Sequence, residues 1–165
     1  MTDPRPSVVS LGSNLGDRLG FLRLGLELLE PISVSSVWET RAVGLVDQPD
    51  FLNVVALCPW DAAECWRRAV AAETAAGRER AVRWGPRTLD VDVIWADGSC
   101  PELELPHPRA AERAFVLLPW VELDPEAELP GRGPVAALPV DTSGVRRLPG
   151  GPLQPDRSRG AGQAP

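Results

Sequence analysis

The residues best suited to chemistry are two aspartates, Asp90 and Asp92, in the segment 83–92, which reads RWGPRTLDVD. Apolar residues alternate with these acids, and this pattern predicts a β-strand from which both carboxylates project on one face. Two carboxylates at this spacing repel each other unless a cation lies between them. Their oxygen atoms suit Mg²⁺, which takes a few carboxylates together with substrate phosphates. We therefore predict that Asp90 and Asp92 bind Mg²⁺.

A cluster of positive charge comes directly before the two aspartates and consists of Arg78, Arg80, Arg83 and Arg87. The chain as a whole is acidic, with a formal net charge of −6. Guanidinium groups bind phosphate oxygens through paired hydrogen bonds, so arginines beside metal-binding carboxylates indicate phosphoryl transfer from a magnesium nucleotide. Simpler interpretations exist for each part. The arginines alone suit a solvated loop, because the chain has no lysine, and the aspartates alone suit an outward-facing edge strand.

Composition excludes several classes of protein. The length of 165 residues fits one domain with one substantial core. The negative net charge argues against a nucleic-acid or membrane-surface binder, and no apolar run reaches the roughly 20 residues that span a bilayer. Three cysteines without metal-site spacing indicate reduced thiols. We expect a cytoplasmic monomer with one domain over residues 1–149 and a disordered tail over 150–165.

Hydrophobic periodicity predicts the order β-α-β-β-α-β. Asp61 is the expected N-cap of the second helix, and Gly77 is its expected end. This order is typical of the α+β, ferredoxin-like sandwich, with a mainly antiparallel sheet, helices on one face and the other face free for ligands. A further segment, 110–118, suits either a short helix or a strand. The predicted strands cover 7–11, 32–38, 51–58 and 89–95, and the predicted helices cover 17–30 and 61–76.

The chain has a single histidine, His107, which excludes multi-histidine zinc sites and disfavours a Ser-His-Asp triad. It is mounted between Pro106 and Pro108, with Arg109 and Arg113 nearby in the sequence. The local chemistry leaves two interpretations open, a structural histidine and one that contacts phosphate.

Two phenylalanines, Phe51 and Phe115, suit either the core or the two sides of a flat heteroaromatic ring. Asn53 lies on the same predicted strand face as Phe51, where its amide could pair with the polar edge of such a ring. Trp84 either covers a nucleotide or anchors the arginine-rich loop. The segment 12–16 (GSNLG) lacks both the Walker lysine and the G-x-G-x-x-G spacing, so we interpret it as a structural turn.

Four segments together carry a resemblance to a known family. They are 10–18 (SLGSNLGDR), 47–53 (DQPDFLN), 83–92, and 105–109 (LPHPR) followed by 112–115 (ERAF). In order and spacing, from about residue 8 to about residue 148, they resemble the 6-hydroxymethyl-7,8-dihydropterin pyrophosphokinases of folate biosynthesis. The resemblance implies the ferredoxin-like fold and transfer of the pyrophosphoryl group of ATP to a reduced pterin, with release of AMP.

The resemblance also implies roles for particular residues. Asp90 and Asp92 would hold two Mg²⁺ ions, and they would form the catalytic group together with Arg80 and Arg87. The residues expected to contact ATP are Arg78, Arg80, Arg83, Trp84, Arg87, Val93, His107 and Arg113. The residues expected to contact the pterin are Thr40, Val43, Phe51, Asn53 and Phe115. Glu73 matches a family position to which we assign no role.

Three positions depart from the family pattern. Ala42 stands where many members have proline, which predicts a looser loop. Phe51 stands where some have tyrosine, and Pro108 is at a variable position. Two other functions remain as alternatives. A binding module without turnover would bind ATP and release no AMP. A different ATP-dependent transferase on the same fold would need a replaced pterin pocket, whereas the predicted pterin residues are present.

Overall fold

The structure is a computed structural model in which residues 4–42, 47–77 and 88–155 are described. Its strands and helices, in chain order, are β1 (Ser7–Ser13), α1 (Arg18–Leu29), β2 (Ser33–Val34), β3 (Ser36–Thr40), β4 (Phe51–Cys58), α2 (Ala62–Ala75), β5 (Asp90–Trp95), α3 (Ala114–Leu123), β6 (Glu128–Leu129), β7 (Gly133–Pro134) and β8 (Val145–Pro152). The predicted α+β class and the βαββαβ order are confirmed. In these ranges, no helix combines the length and apolar character that crossing a membrane requires.

The first two helices begin at side-chain caps. Asp17 accepts a hydrogen bond from the Gly20 N–H at 3.0 Å, and Asp61 accepts one from the Glu64 N–H at 2.9 Å. After α2 the chain turns at Gly77, whose φ of +68° lies in the left-handed region that glycine adopts without strain. The predicted helices are therefore confirmed to within one residue at each end.

The main sheet has the strand order β5-β1-β4-β3-β8, with β2 also paired to β4, and each of these pairs is antiparallel. The strand predicted over 32–38 is divided into β2 and β3 at Ser35. The Ser35 N–H donates to the Val55 carbonyl at 2.9 Å, while the Ser35 hydroxyl accepts from the Val55 N–H at 3.0 Å. A side-chain oxygen thus takes the place of a backbone carbonyl, and this substitution interrupts the regular pairing.

The edge strand β8 extends past the predicted end of the domain at residue 149. It pairs with β3, and beyond it the Leu153 N–H donates to the Ser35 carbonyl at 3.1 Å. The predicted tail therefore begins inside an ordered strand, because pairing at a sheet edge depends on backbone groups and tolerates proline. Residues 156–165 lie outside the described part of the chain.

The two faces of the sheet pack against different helices. Helices α1 and α2 cover one face, as predicted, and form a core with Val9, Leu11 and Val54. Helix α3 packs on the opposite face instead of leaving it free, because Val8, Val55 and Ile94 project there and need cover. Together with α3 residues they form a second core: Val8, Val55, Ile94, Val116, Leu117 and Trp120. The rest of this second face carries the candidate site.

Candidate active site

One row of residues crosses the open part of the second face. Gly12 on β1 lies opposite Asp90 on one side and opposite Asn53 on the other. Directly paired residues of antiparallel strands project from the same face, so the side chains of Asp90 and Asn53 share a face with the width of β1 between them. Two strand spacings separate them, roughly 10 Å. The predicted metal site and the predicted pterin site are therefore neighbours.

The first turn of α3 brings two further predicted site residues to the border of this open area. Arg113 is the N-cap residue of α3, and its Nη1 lies 3.0 Å from Oδ2 of Asp92. Its guanidinium carbon lies 5.6 Å from the centre of the Phe115 ring. A predicted phosphate ligand, a predicted metal ligand and a predicted pterin-stacking residue are thus in one cluster.

His107 is held beside β5 by its own backbone. Its N–H donates to the Ile94 carbonyl at 2.8 Å, its Nδ1 accepts from the Arg109 N–H at 3.2 Å, and its Nε2 lies 3.9 Å from Oδ1 of Asp92. Burial lowers the pKa of His107; Asp92 raises it and Arg113 lowers it further. The imidazole is therefore neutral at pH 7 and turns its Nε2–H toward the carboxylate.

Glu73, which had no role in the sequence analysis, supports the strand that carries the aspartates. Its Oε1 accepts a hydrogen bond from the Val91 N–H at 2.9 Å. Val91 lies between Asp90 and Asp92, so this contact fixes the backbone that sets the spacing of the two carboxylates. No local pattern could have revealed it, because the partners belong to α2 and β5.

The predicted pterin residue Asn53 is only 3% exposed, and its side chain is held in one orientation. Its Nδ2 donates to the Thr40 hydroxyl at 2.7 Å and to the Trp38 carbonyl at 3.4 Å. Thr40 is also one of the predicted pterin contacts, and in the structure its hydroxyl orients the Asn53 amide. Phe51 is next to this pair, opposite Thr40 in the β3–β4 register.

Gly12 is a site residue that sequence reasoning missed. We interpreted the segment 12–16 as a turn, whereas Gly12 belongs to β1. A Cβ atom on Gly12 would lie 2.9 Å from Oδ1 of Asn53 and 3.4 Å from Cδ1 of Phe51. The missing side chain therefore leaves the space that Asn53 and Phe51, two of the predicted pterin contacts, occupy.

We expect the Gly12→Ala variant to raise the KM for the pterin about tenfold, since overpacking of this kind costs about 1–3 kcal/mol. The added methyl group displaces the Asn53 amide. Steady-state kinetics with each substrate varied in turn measures the effect, and the KM for ATP should change far less. An unchanged KM for the pterin would show that Asn53 does not need this space.

Two of the resembling segments contact each other in the structure. The Asn14 side chain is fully buried, and its Nδ2 donates to Oε1 of Gln48 at 2.9 Å and to the Pro49 carbonyl at 3.0 Å. Arg18 donates to the Asp50 carbonyl at 2.9 Å. The segment that follows β1 thus holds the residues that lead into β4, the strand that carries the predicted pterin contacts Phe51 and Asn53.

A cavity of about 220 Å³ adjoins the carboxylate cluster beside β5. Its lining includes Asp92, Val93, His107, Trp66 and Glu104. Val93 belongs to the core that packs against α1 and α2. Its side chain therefore lines the cavity from that side of the sheet and does not share the face that carries the aspartates. Two residues predicted to contact ATP, Val93 and His107, therefore line one cavity.

Several predicted site residues lie outside the described ranges, and their roles stay predictions. They are Val43, Arg78, Arg80, Arg83, Trp84 and Arg87. The departure at Ala42 lies within the described part, where the Ala42 N–H donates to Oδ1 of Asp50 at 3.4 Å.

The donor set fits Mg²⁺. Asp90 and Asp92 project from one face, and neither side chain is fully buried. In residues 4–42, 47–77 and 88–155 no group of three histidine, cysteine or acidic side chains converges into a metal site. A metal ion at these two carboxylates would therefore take its remaining oxygen ligands from substrate and water, as Mg²⁺ commonly does.

Paired carboxylates beside an imidazole and a guanidinium, on the open part of a ferredoxin-like sheet, are the arrangement expected of a phosphoryl-transfer enzyme. Sequence comparison identifies the family. The model of the 7,8-dihydro-6-hydroxymethylpterin-pyrophosphokinase family matches residues 8–125, and the chain belongs to this family. The resemblance noted in the sequence is thereby confirmed.

Similar curated proteins are each named 2-amino-4-hydroxy-6-hydroxymethyldihydropteridine pyrophosphokinase. The protein from Mycobacterium tuberculosis is 43% identical over 84% of this chain and 87% of its own length. The protein from Bacillus subtilis is 38% identical over 84% of this chain and 87% of its own length. The protein from Pseudomonas aeruginosa is 37% identical over 86% of this chain and 96% of its own length.

Proposed function

We propose that this protein transfers the pyrophosphoryl group of ATP to the hydroxymethyl oxygen of 6-hydroxymethyl-7,8-dihydropterin, in folate biosynthesis. The observation that carries the proposal is the row from Asp90 through Gly12 to Asn53. It sets a metal-binding carboxylate and a buried amide roughly 10 Å apart on one face, a separation that a pterin with its hydroxymethyl group bridges.

ATP binds along the carboxylate side of this face. Arg113 and the Nε2–H of His107 donate hydrogen bonds to phosphate oxygens, and the cavity beside β5 accommodates the nucleoside. Asp90 and Asp92 hold two Mg²⁺ ions. When bound, these ions neutralise phosphate charge and make the β-phosphorus a better electrophile. The predicted contacts of Arg78, Arg80, Arg83, Trp84 and Arg87 with ATP complete this proposal.

The pterin binds on the other side of Gly12. Phe51 and Phe115 stack on the two faces of the ring, and the Asn53 amide pairs with its pyrimidine edge. This arrangement points the hydroxymethyl group toward the phosphates. The pterin oxygen forms a bond to the β-phosphorus, the bond from that phosphorus to the α–β bridging oxygen breaks, and AMP leaves with the bridging oxygen. The alcohol proton passes to solvent.

Positioning and charge neutralisation supply the rate acceleration in this scheme. His107 is neutral and its Nδ1 is engaged by the Arg109 N–H, so the imidazole serves as a hydrogen-bond donor. The two substrates must also exclude water, because water at the β-phosphorus would hydrolyse ATP.

The experiment that tests the proposal is AMP formation from ATP and Mg²⁺, with and without 6-hydroxymethyl-7,8-dihydropterin. We expect AMP release that depends on both Mg²⁺ and the pterin. ATP binding without AMP release would indicate a binding module, and AMP release with a different acceptor alone would indicate another transferase. Sedimentation of the same preparation tests the proposed monomer, and fractionation of cells tests the proposed cytoplasmic location.

A further inference from the structure

Asp92 and Arg113 form an ion pair through the same groups that are proposed to bind metal and phosphate. Oδ2 of Asp92 accepts from Nη1 of Arg113 at 3.0 Å, and the two side chains are 30% and 16% exposed. The other carboxylate oxygen, Oδ1, faces Nε2 of His107 at 3.9 Å. The proposed metal ligand is thus held by the proposed phosphate ligand.

The two roles of this pair compete for the same atoms. Mg²⁺ binds carboxylate oxygen at about 2.0–2.1 Å, and a guanidinium on the same oxygen would repel it. Likewise, the Arg113 Nη1–H that donates to Asp92 is not available to a phosphate oxygen, and the carboxylate holds the whole guanidinium fork, with its other N–H donors, turned toward β5. Metal binding at Oδ2 of Asp92 and bidentate phosphate binding by the Arg113 guanidinium therefore both compete with this ion pair.

We propose that Arg113 exchanges between Asp92 and the nucleotide phosphates, so that metal binding and phosphate binding strengthen each other. This inference rests on the proposed function, since it assigns ATP and metal to this site. Opening the pair with either ligand releases the group that binds the other. Because such coupling is reciprocal, Mg²⁺ increases nucleotide affinity by the same factor by which the nucleotide increases Mg²⁺ affinity.

The surroundings of Arg113 allow its side chain to exchange while its backbone stays in place. The Arg113 N–H donates to the Ala110 carbonyl at 3.1 Å, and the residue is the N-cap of α3. Its guanidinium carbon lies 5.6 Å from the Phe115 ring centre, a loose contact that does not fix the side chain. A partly exposed ion pair is weak enough to open when a better partner arrives on either side.

Metal affinity without nucleotide is the first test. Mn²⁺ serves as the probe, with the free ion measured by electron paramagnetic resonance. Removing Arg113 frees Oδ2 of Asp92, so we expect Arg113→Ala to bind Mn²⁺ about five- to tenfold more tightly. Arg113→Gln, which keeps a long polar side chain, should change affinity in the same direction, and thermal midpoints show whether both variants fold.

Arg109→Ala is the matched control, because it removes one positive charge from the same segment. The Arg109 Nε pairs with Oε2 of Glu112 at 3.5 Å. We expect a change in Mn²⁺ affinity of less than about twofold, since this variant leaves the Asp92–Arg113 pair intact. The gain in Arg113→Ala must also disappear when Asp92→Asn is combined with it. An equal gain in Arg109→Ala, or no gain in Arg113→Ala, refutes the exchange.

Nucleotide affinity is the second test, measured by calorimetry with ATP in the presence of either Mg²⁺ or EDTA. We expect Arg113→Ala to weaken ATP binding about tenfold or more with Mg²⁺ and less than about threefold with EDTA. Equal losses in both conditions contradict the proposal. The tests also distinguish the exchange from the proposed function. Coupling between metal and nucleotide without pterin-dependent AMP release would overturn only the proposed function. Pterin-dependent AMP release without this coupling would overturn only the exchange.

Discussion

Replacing Asp92 with alanine should lower kcat by about a thousandfold or more, because the variant loses metal-mediated neutralisation of the phosphates. Asp92 also accepts from Arg113 and faces His107, so its loss leaves both donors without the group that orients them. The measurement is pterin-dependent AMP release over a range of Mg²⁺ concentrations.

Asp97→Asn is a suitable control for this variant. Asp97 is exposed and follows the end of β5, so its replacement removes a nearby carboxylate without touching the site. We expect wild-type kinetics for it. Turnover of Asp92→Ala close to that of the wild type at saturating Mg²⁺ would exclude Asp92 as a metal ligand, and the thermal midpoint shows whether any loss comes from unfolding.

The fold could be predicted from sequence where side-chain periodicity sets the structure. Helices α1 and α2 carry apolar residues at helical spacing and begin at aspartate caps, so their limits were accurate. Strand β8 was missed because its glycines and prolines carry no apolar pattern, and backbone hydrogen bonds to β3 hold it. Such pairing between distant segments leaves no trace in local composition.

The position of α3 was also outside the reach of periodicity. Its sequence is apolar on nearly all sides and contains Pro119, so neither a helical nor a strand period stands out. The apolar sequence of β4 does indicate that a helix must cover this face. Val55 lies within an apolar run on β4, and a strand that is apolar on both faces needs cover on both.

The site residues show the same difference between features set by local sequence and features set by contacts between distant segments. The shared face of Asp90 and Asp92 could be predicted from residue type and a spacing of two, because a strand places such residues on one side. Gly12 could not be recognised, because its importance depends on Asn53, a residue far along the chain that β1–β4 pairing brings opposite it. Glu73 is similar, since its contact with Val91 joins two elements.

The second large effect is expected for Asn53→Leu, a change that keeps the approximate size of the side chain and removes its hydrogen-bonding groups. We expect kcat/KM for the pterin to fall about a thousandfold. This estimate assumes that the variant loses two hydrogen bonds to the ring edge, each worth about 2 kcal/mol. The KM for ATP should change little, because β1 separates Asn53 on β4 from the carboxylates on β5.

Thr40→Val gives the graded comparison for this prediction. The Thr40 hydroxyl accepts from Asn53 Nδ2 at 2.7 Å, so its loss frees the amide to rotate without removing it. We expect kcat/KM for the pterin to fall about tenfold, the value of one orienting hydrogen bond. A Thr40→Val loss as large as that of Asn53→Leu would mean that the hydroxyl itself binds the pterin. An Asn53→Leu variant with unchanged pterin kinetics would show that the substrate's polar edge is bound elsewhere on this face.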